Sequence, residues 1–127
     1  MIPKFRVWDK GVQKFADYPV YFNLTNSEIV TELWYGYEIQ VEEPLQDSNY
    51  IVQQSTGLFD KNGKEIFEGD IVRNNYGEHG HIKWLRGGFV YHEDGANFYL
   101  FSIGAGQPFE IIGNIYEHPH LLGEDAQ

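Results

Sequence analysis

Leu58-Phe59-Asp60-Lys61-Asn62-Gly63-Lys64-Glu65-Ile66-Phe67 sets two short apolar arms around a polar, glycine-containing centre. Asn-Gly between such arms is a strong hairpin signal, because both central positions of the favoured turn need φ > 0, which Asn and Gly tolerate. Glu68-Gly69-Asp70-Ile71-Val72-Arg73 follows as a turn entering another extended segment. Asp70 is placed there to hydrogen-bond the turn backbone. The stretch therefore reads as strand, tight turn, strand, turn, strand, with no segment of helical period.

The same rhythm continues toward the C-terminus. Extended segments are predicted over 81–86, 89–92, 98–102 and 109–116, broken by Gly87-Gly88, by Glu93-Asp94-Gly95 and by a glycine-rich loop over 103–108. Short strands spaced about 8–12 residues apart, with glycine turns between them, are the pattern of a small barrel or sandwich. An SH3-like β-barrel is the most economical closure for this half. Toward the N-terminus, Lys4-Phe5-Arg6-Val7-Trp8 alternates, Asp9-Lys10-Gly11 turns, and residues 12–15, 18–24, 37–42 and 50–55 read as extended. Residues 26–35 are ambiguous. Ser27 can cap a helix that carries Ile29, Val30, Leu33 and Trp34 on one side. The β-branched run Ile29-Val30-Thr31 and the alternation favour a strand or irregular edge, which is the preferred reading. The predicted architecture is all-β: an N-terminal β-rich subdomain of hairpins over 1–56, an SH3-like barrel subdomain over 57–122, and a loose acidic tail over 123–127.

Composition narrows the function classes. In 127 residues the chain has 9 Lys+Arg against 19 Asp+Glu, a formal charge of −10, and no Cys. Disulfide frameworks, cysteine metal sites and thiol catalysis are excluded. No apolar run reaches the ~18–20 residues of a membrane span and the first residues carry no secretory stretch, so a cytoplasmic protein without membrane contact is expected. A field of −10 opposes nucleic acid unless basic residues cluster. With 42% hydrophobic and 17% aromatic residues there is ample material for a packed core.

Three segments carry a resemblance. Lys4-Phe5-Arg6-Val7-Trp8-Asp9, the block from Gln54 to Val72, and the run from Ile111 to Leu122 (Ile111-Ile112-Gly113-Asn114-Ile115-Tyr116-Glu117-His118-Pro119-His120-Leu121-Leu122) resemble, in the same order, the YopX-like proteins of phages and prophages. Ser55 and Phe59 depart from the family pattern within the central block, as do His118 and His120 near the end. The resemblance implies a small β-rich fold of SH3-like character. It implies no activity, because the family has no established function, and it supplies no catalytic residue, cofactor or ligand set.

The residues offer few chemical constellations of their own. Glu78-His79-Gly80-His81 and Glu117-His118-Pro119-His120 are two H-x-H pairs, each preceded by Glu. Residues i and i+2 of a strand share a face, so such a pair with a carboxylate is the weak metal candidate of this chain, although Gly80 and Pro119 disturb strand geometry. Solvated loop histidines are the competing reading. Asp60, Glu65, Glu68 and Asp70 form an acidic group whose turn-making duties compete with general acid–base work or Mg²⁺. Ser55 and Ser102 lack a nucleophile elbow, and Gly104-Ala105-Gly106 lacks the Lys-Ser/Thr and the helix of a phosphate loop. No cofactor is expected, and the chain does not read as an enzyme.

Aromatic residues are the remaining resource. On alternating strands, Ile82 and Trp84 share one face and His81, Lys83 and Leu85 the other, while Phe89 and Tyr91 oppose Val90 and His92. Strands apolar on both faces imply either two packed layers or an outer surface for a partner. Trp84, Tyr91, Tyr99 and Tyr116 are the candidate partner-binding residues. A non-enzymatic interaction module is the expected function, engaging a host or phage protein or a second copy of itself. The alternatives are a single-stranded nucleic-acid-binding barrel, with Arg73, Lys83 and Arg86 beside Trp84 and Tyr91, and an acidic DNA mimic that occupies a host protein.

Overall fold

The computed structural model of the chain describes residues 4–17, 20–23, 28–34, 38–44, 48–100 and 109–122. Regular structure among them is antiparallel strand, apart from one 310 turn at Pro119–Leu122, so the protein is all-β as predicted. No helix among the described residues is long and apolar enough to cross a membrane. The predicted glycine-rich loop over 103–108, Ser102 and the tail over 123–127 lie outside the described residues. Two compact units are present, Arg6–Val52 and Met1–Phe5 together with Gln53–Gln127.

In the first unit, β1 (Phe5–Asp9) pairs with β2 (Lys14–Phe15), with Trp8 opposite Phe15 and Asp9 opposite Lys14. The Asp9 carboxylate accepts the Gly11 N–H at 2.8 Å, which makes Asp9-Lys10-Gly11 the turn its residue types suggest. Trp8 packs edge-on against Phe15 at 5.1 Å, and the Arg6 guanidinium lies 4.5 Å over the same ring. β3 (Val20–Asn23), β4 (Glu28–Trp34) and β5 (Glu38–Pro44) form a three-stranded antiparallel sheet in that order. The ambiguous segment is thus a strand over 28–34, in keeping with its β-branched run.

In the second unit, β6 (Tyr50–Phe59) pairs with β7 (Glu65–Phe67), and a five-stranded sheet follows. The order of that sheet is β11 (Ala96–Tyr99), β10 (Gly88–Glu93), β9 (His79–Leu85), β8 (Asp70–Arg73), β12 (Glu110–Asn114). Among the described residues it is an open meander to which the last strand returns beside β8, leaving β11 and β12 at the edges. Ile66, Val72, Ile82, Tyr91, Leu100 and Phe109 form its core, with Leu58, Phe89 and Ile111 packed against them. Tyr91 stacks on Phe109 at 4.9 Å. Ile71 and Val90 point to the other face and are also fully buried, so these two-faced strands are covered on both sides at their centres.

Turn chemistry sets the registers. The β9–β10 and β10–β11 hairpins close through Arg86-Gly87 and Asp94-Gly95, with φ of 48°, 87°, 48° and 79°. Positive φ at both central residues is the type I′ signature. The first of these turns sits one residue earlier than the predicted Gly87-Gly88. The Asn62-Gly63 turn differs more: Gly63 alone has positive φ, at 82°. The Gly63 N–H donates to the Asp60 carbonyl at 3.0 Å, and the Asp60 N–H to the Lys64 carbonyl at 2.7 Å. This is a three-residue loop with a left-handed glycine, selected because the Asp60 side chain captures the turn amides.

Arg86 is the misfit among these positions. A non-glycine residue at φ 48° is strained, whereas Asn in the same place is favoured. Arg86→Asn is expected to raise stability by about 0.5–1 kcal/mol, read as a higher urea midpoint at unchanged slope. An unchanged or lower midpoint would contradict that turn assignment.

Candidate functional site

The acidic block is committed to the fold. Asp60 is buried, and its carboxylate accepts the N–H groups of Asn62 at 2.9 Å, Lys64 at 2.8 Å and Ile111 at 3.0 Å. Burial alone would raise its pKa, but the Ile111, Lys64 and Asn62 amides outweigh it and hold the carboxyl below its ordinary 3.8. Glu65 accepts the Ser55 hydroxyl and, at 3.2 Å, the Lys4 ammonium. The Ser55 hydroxyl, with help from Lys4, keeps Glu65 below its usual range against the effect of burial. Glu68 accepts the Gln54 N–H at 3.0 Å, and Asp70 accepts the Phe67 N–H at 2.8 Å, the turn role its position implied. Gly69 between them has φ 89°, and a Cβ there would overlap the Gln53 carboxamide. Each of the four carboxylates therefore shapes a turn or ties one strand to another.

The four aromatic candidates go to different places. Tyr91 is only 3% exposed and belongs to the core, so it is not a surface residue. Its hydroxyl donates to Glu93 at 3.1 Å, and burial followed by that carboxylate raises its pKa. Tyr99 is half-buried on β11, its hydroxyl 3.3 Å from the Leu85 carbonyl it donates to. Tyr116 is half-buried in the turn after β12, and burial, then Glu68, pushes its hydroxyl up. Trp84 alone of the four is well exposed, at 51%, and it packs edge-on against Phe89 at 4.9 Å. Phe98, 44% exposed and opposite Tyr91, joins it on the same face of the sheet. The basic trio beside Trp84 does not assemble. Lys83 lies on the opposite face, and Arg73 sits opposite His79 at the far end of β9, hydrogen-bonded to Glu110.

The histidines are rearranged relative to their spacing in sequence. His118 is structural: its Nδ1 accepts the Asn114 N–H at 3.2 Å, and its ring covers Gly113, whose added Cβ would meet it at 2.6 Å. The Asn114 side chain ends β12 by accepting the Tyr116 and Glu117 amides at 3.0 and 2.9 Å. His120 is exposed, its ring 6.2 Å from that of His118. His79 has Nδ1 3.4 Å from the Leu121 carbonyl. The predicted H-x-H pairs thus lie near each other without converging, and among the described residues no group of three or more donors is arranged to hold a metal.

What does converge is a pair that spacing did not suggest. The β9–β10 register places His81 directly opposite His92, their rings 5.2 Å apart. They line a cleft of about 20 Å³ with His79, Gly80, Glu93, Asp94 and Leu122, enough for a water or an ion and too small for an organic cofactor. Burial, reinforced by His92 and Lys83, pulls His81 down to about 4, so it is neutral near pH 7. The signal for His92 was present in the hairpin: counting back equally from Arg86-Gly87 brings residues 81 and 92 together, but only once the turn is placed one residue earlier than predicted.

A family model described as YopX protein matches residues 4–123. The fold is similar to the crystal structure of protein EF1440 from Enterococcus faecalis, at 31% identity and a TM-score of 0.65, over 96% of this chain and 99% of that one. It is similar also to the crystal structure of protein yopX from Bacillus subtilis, at 19% identity and a TM-score of 0.62, over 93% and 94% of the two chains. Comparison with curated protein sequences finds no match.

Proposed function

The chain belongs to the YopX protein family, and from that premise we propose that it is a non-enzymatic docking module, a phage or prophage accessory protein that engages another protein in the host cytoplasm. The observation that carries this reading is Trp84: half its surface is open to solvent while Phe89 holds its ring edge-on beside a two-residue turn. A large ring already held in one orientation loses little freedom on binding, and Trp is among the residues that dominate interface energetics. The net charge of −10 steers such a surface toward a basic partner. The separation of Arg73, Lys83 and Arg86 argues against a nucleic-acid groove.

The test is quantitative. A partner captured from lysogenic host lysate is identified, purified and titrated against the wild type and Trp84→Ala. The variant is expected to bind at least about tenfold more weakly, and raised salt is expected to slow association. Equal affinity for both proteins, with circular dichroism spectra alike, would reject Trp84 as the docking residue.

A further inference from the structure

We propose that His81 and His92 form a two-imidazole clamp for a divalent cation of the Zn²⁺ and Ni²⁺ class. The two residues face each other across the β9–β10 ladder, and their ring centroids are 5.2 Å apart. An imidazole nitrogen binds Zn²⁺ at about 2.0–2.1 Å, so two rings on one tetrahedral ion have centroids about 5 Å apart. The register places the two residues opposite each other, and their rings already stand at the centroid spacing that chelation requires.

The surroundings orient one ring for this. His92 Nδ1 lies 2.9 Å from Asn97 Oδ1, on the neighbouring strand away from His81. A proton on Nδ1 donated to that oxygen leaves the lone pair on Nε2, the arrangement by which a metal-bound histidine is held in one tautomer. The cleft beside the pair has room for an ion, and Glu93 and Asp94 on its wall supply negative potential. With two protein ligands and water completing the shell, the dissociation constant is expected on the order of 10 µM, far weaker than a four-ligand structural site. Neither His118 nor His120 lines this cleft, and His118 Nδ1 is occupied by the Asn114 amide.

The full, tag-free chain is titrated calorimetrically with Zn²⁺ alone, and separately with Ni²⁺ alone, at pH 7. One ion per chain is expected, with His92→Gln and His81→Gln each weakening binding by well over tenfold and Asn97→Leu by about tenfold. His120→Gln is expected to bind as the wild type does. Because His81 is partly buried, imidazole NMR shifts of the wild type on adding Zn²⁺ provide a second measurement that needs no variant: His81 and His92 move together. No uptake up to about 1 mM, uptake indifferent to His92→Gln, equal loss in His120→Gln, or shifts confined to other histidines would overturn the proposal.

Discussion

Asp60→Ala is expected to destabilise the protein by about 3 kcal/mol, read as a fall in the urea midpoint at unchanged slope. The residue is 4% exposed, and its carboxylate satisfies three backbone amides, of which the Ile111 N–H belongs to β12. Water can reach the two amides of the exposed loop after the truncation. The part-buried Ile111 amide loses its acceptor, and leaving a buried donor unpaired costs about 1–3 kcal/mol. Loss of the turn's Asx bonds adds to that. A change below about 0.5 kcal/mol would mean that the carboxylate is not the joint between the β6–β7 loop and β12.

The same group gives a pH dependence whose sign follows from its folded pKa. That value lies below the ordinary 3.8. The folded protein therefore holds the charged form more tightly than the unfolded chain does, and the stabilisation is complete above about pH 4. It is lost as pH falls from there through the folded pKa. Asp60→Asn removes the titrating group while keeping one acceptor oxygen, so its stability is expected to be lower at neutral pH and flatter across this acid range. An acid profile parallel to the wild type would assign the titration to other carboxylates.

Gly80→Ala is the second large effect, about 3 kcal/mol of destabilisation. An alanine Cβ at this position would overlap the His92 carbonyl and lie 2.6 Å from the Tyr91 ring. The carbonyl is backbone of the adjacent strand and Tyr91 is stacked on Phe109, so neither can yield without disturbing the β9–β10 ladder or the core. The backbone of Gly80 has no positive φ. Were space available, alanine would therefore stabilise by about 0.4–1 kcal/mol through the unfolded state, and the sign of the measured change decides the matter. Gly77→Ala is the control: φ is 81° and nothing lies within 4 Å, so its cost of about 1 kcal/mol reports backbone strain without overlap.

How much was legible can be judged from particular residues. Asp94-Gly95 announced its hairpin because the dipeptide and the turn are the same local event. Asn62-Gly63 announced a reversal but not its type, because the competing influence, the Asp60 carboxylate, is held from across the unit by an amide of β12. Trp84 and Tyr91 look equivalent in sequence, two aromatics on one sheet face. They differ because Tyr91 lies at the centre of the strands, over Phe109, and Trp84 near a strand end. The turn duties of Asp60 and Asp70 were legible from residue type and position, whereas the bonds of Glu65 to Ser55 and of Glu68 to the Gln54 amide exist only once β6 and β7 are paired.

Alternation, glycine placement and the ordered family blocks were sufficient by themselves to establish strands, reversals, an all-β class and membership of the family. These features act over a few neighbouring residues, where steric limits on φ and ψ and a two-residue period leave few options. Which side chains finally meet, such as His81 with His92 or Asp60 with the Ile111 amide, was decided only in the folded chain. Such meetings follow from strand register and from burial summed over the whole unit, and a slip of one residue would send every one of them to the opposite face.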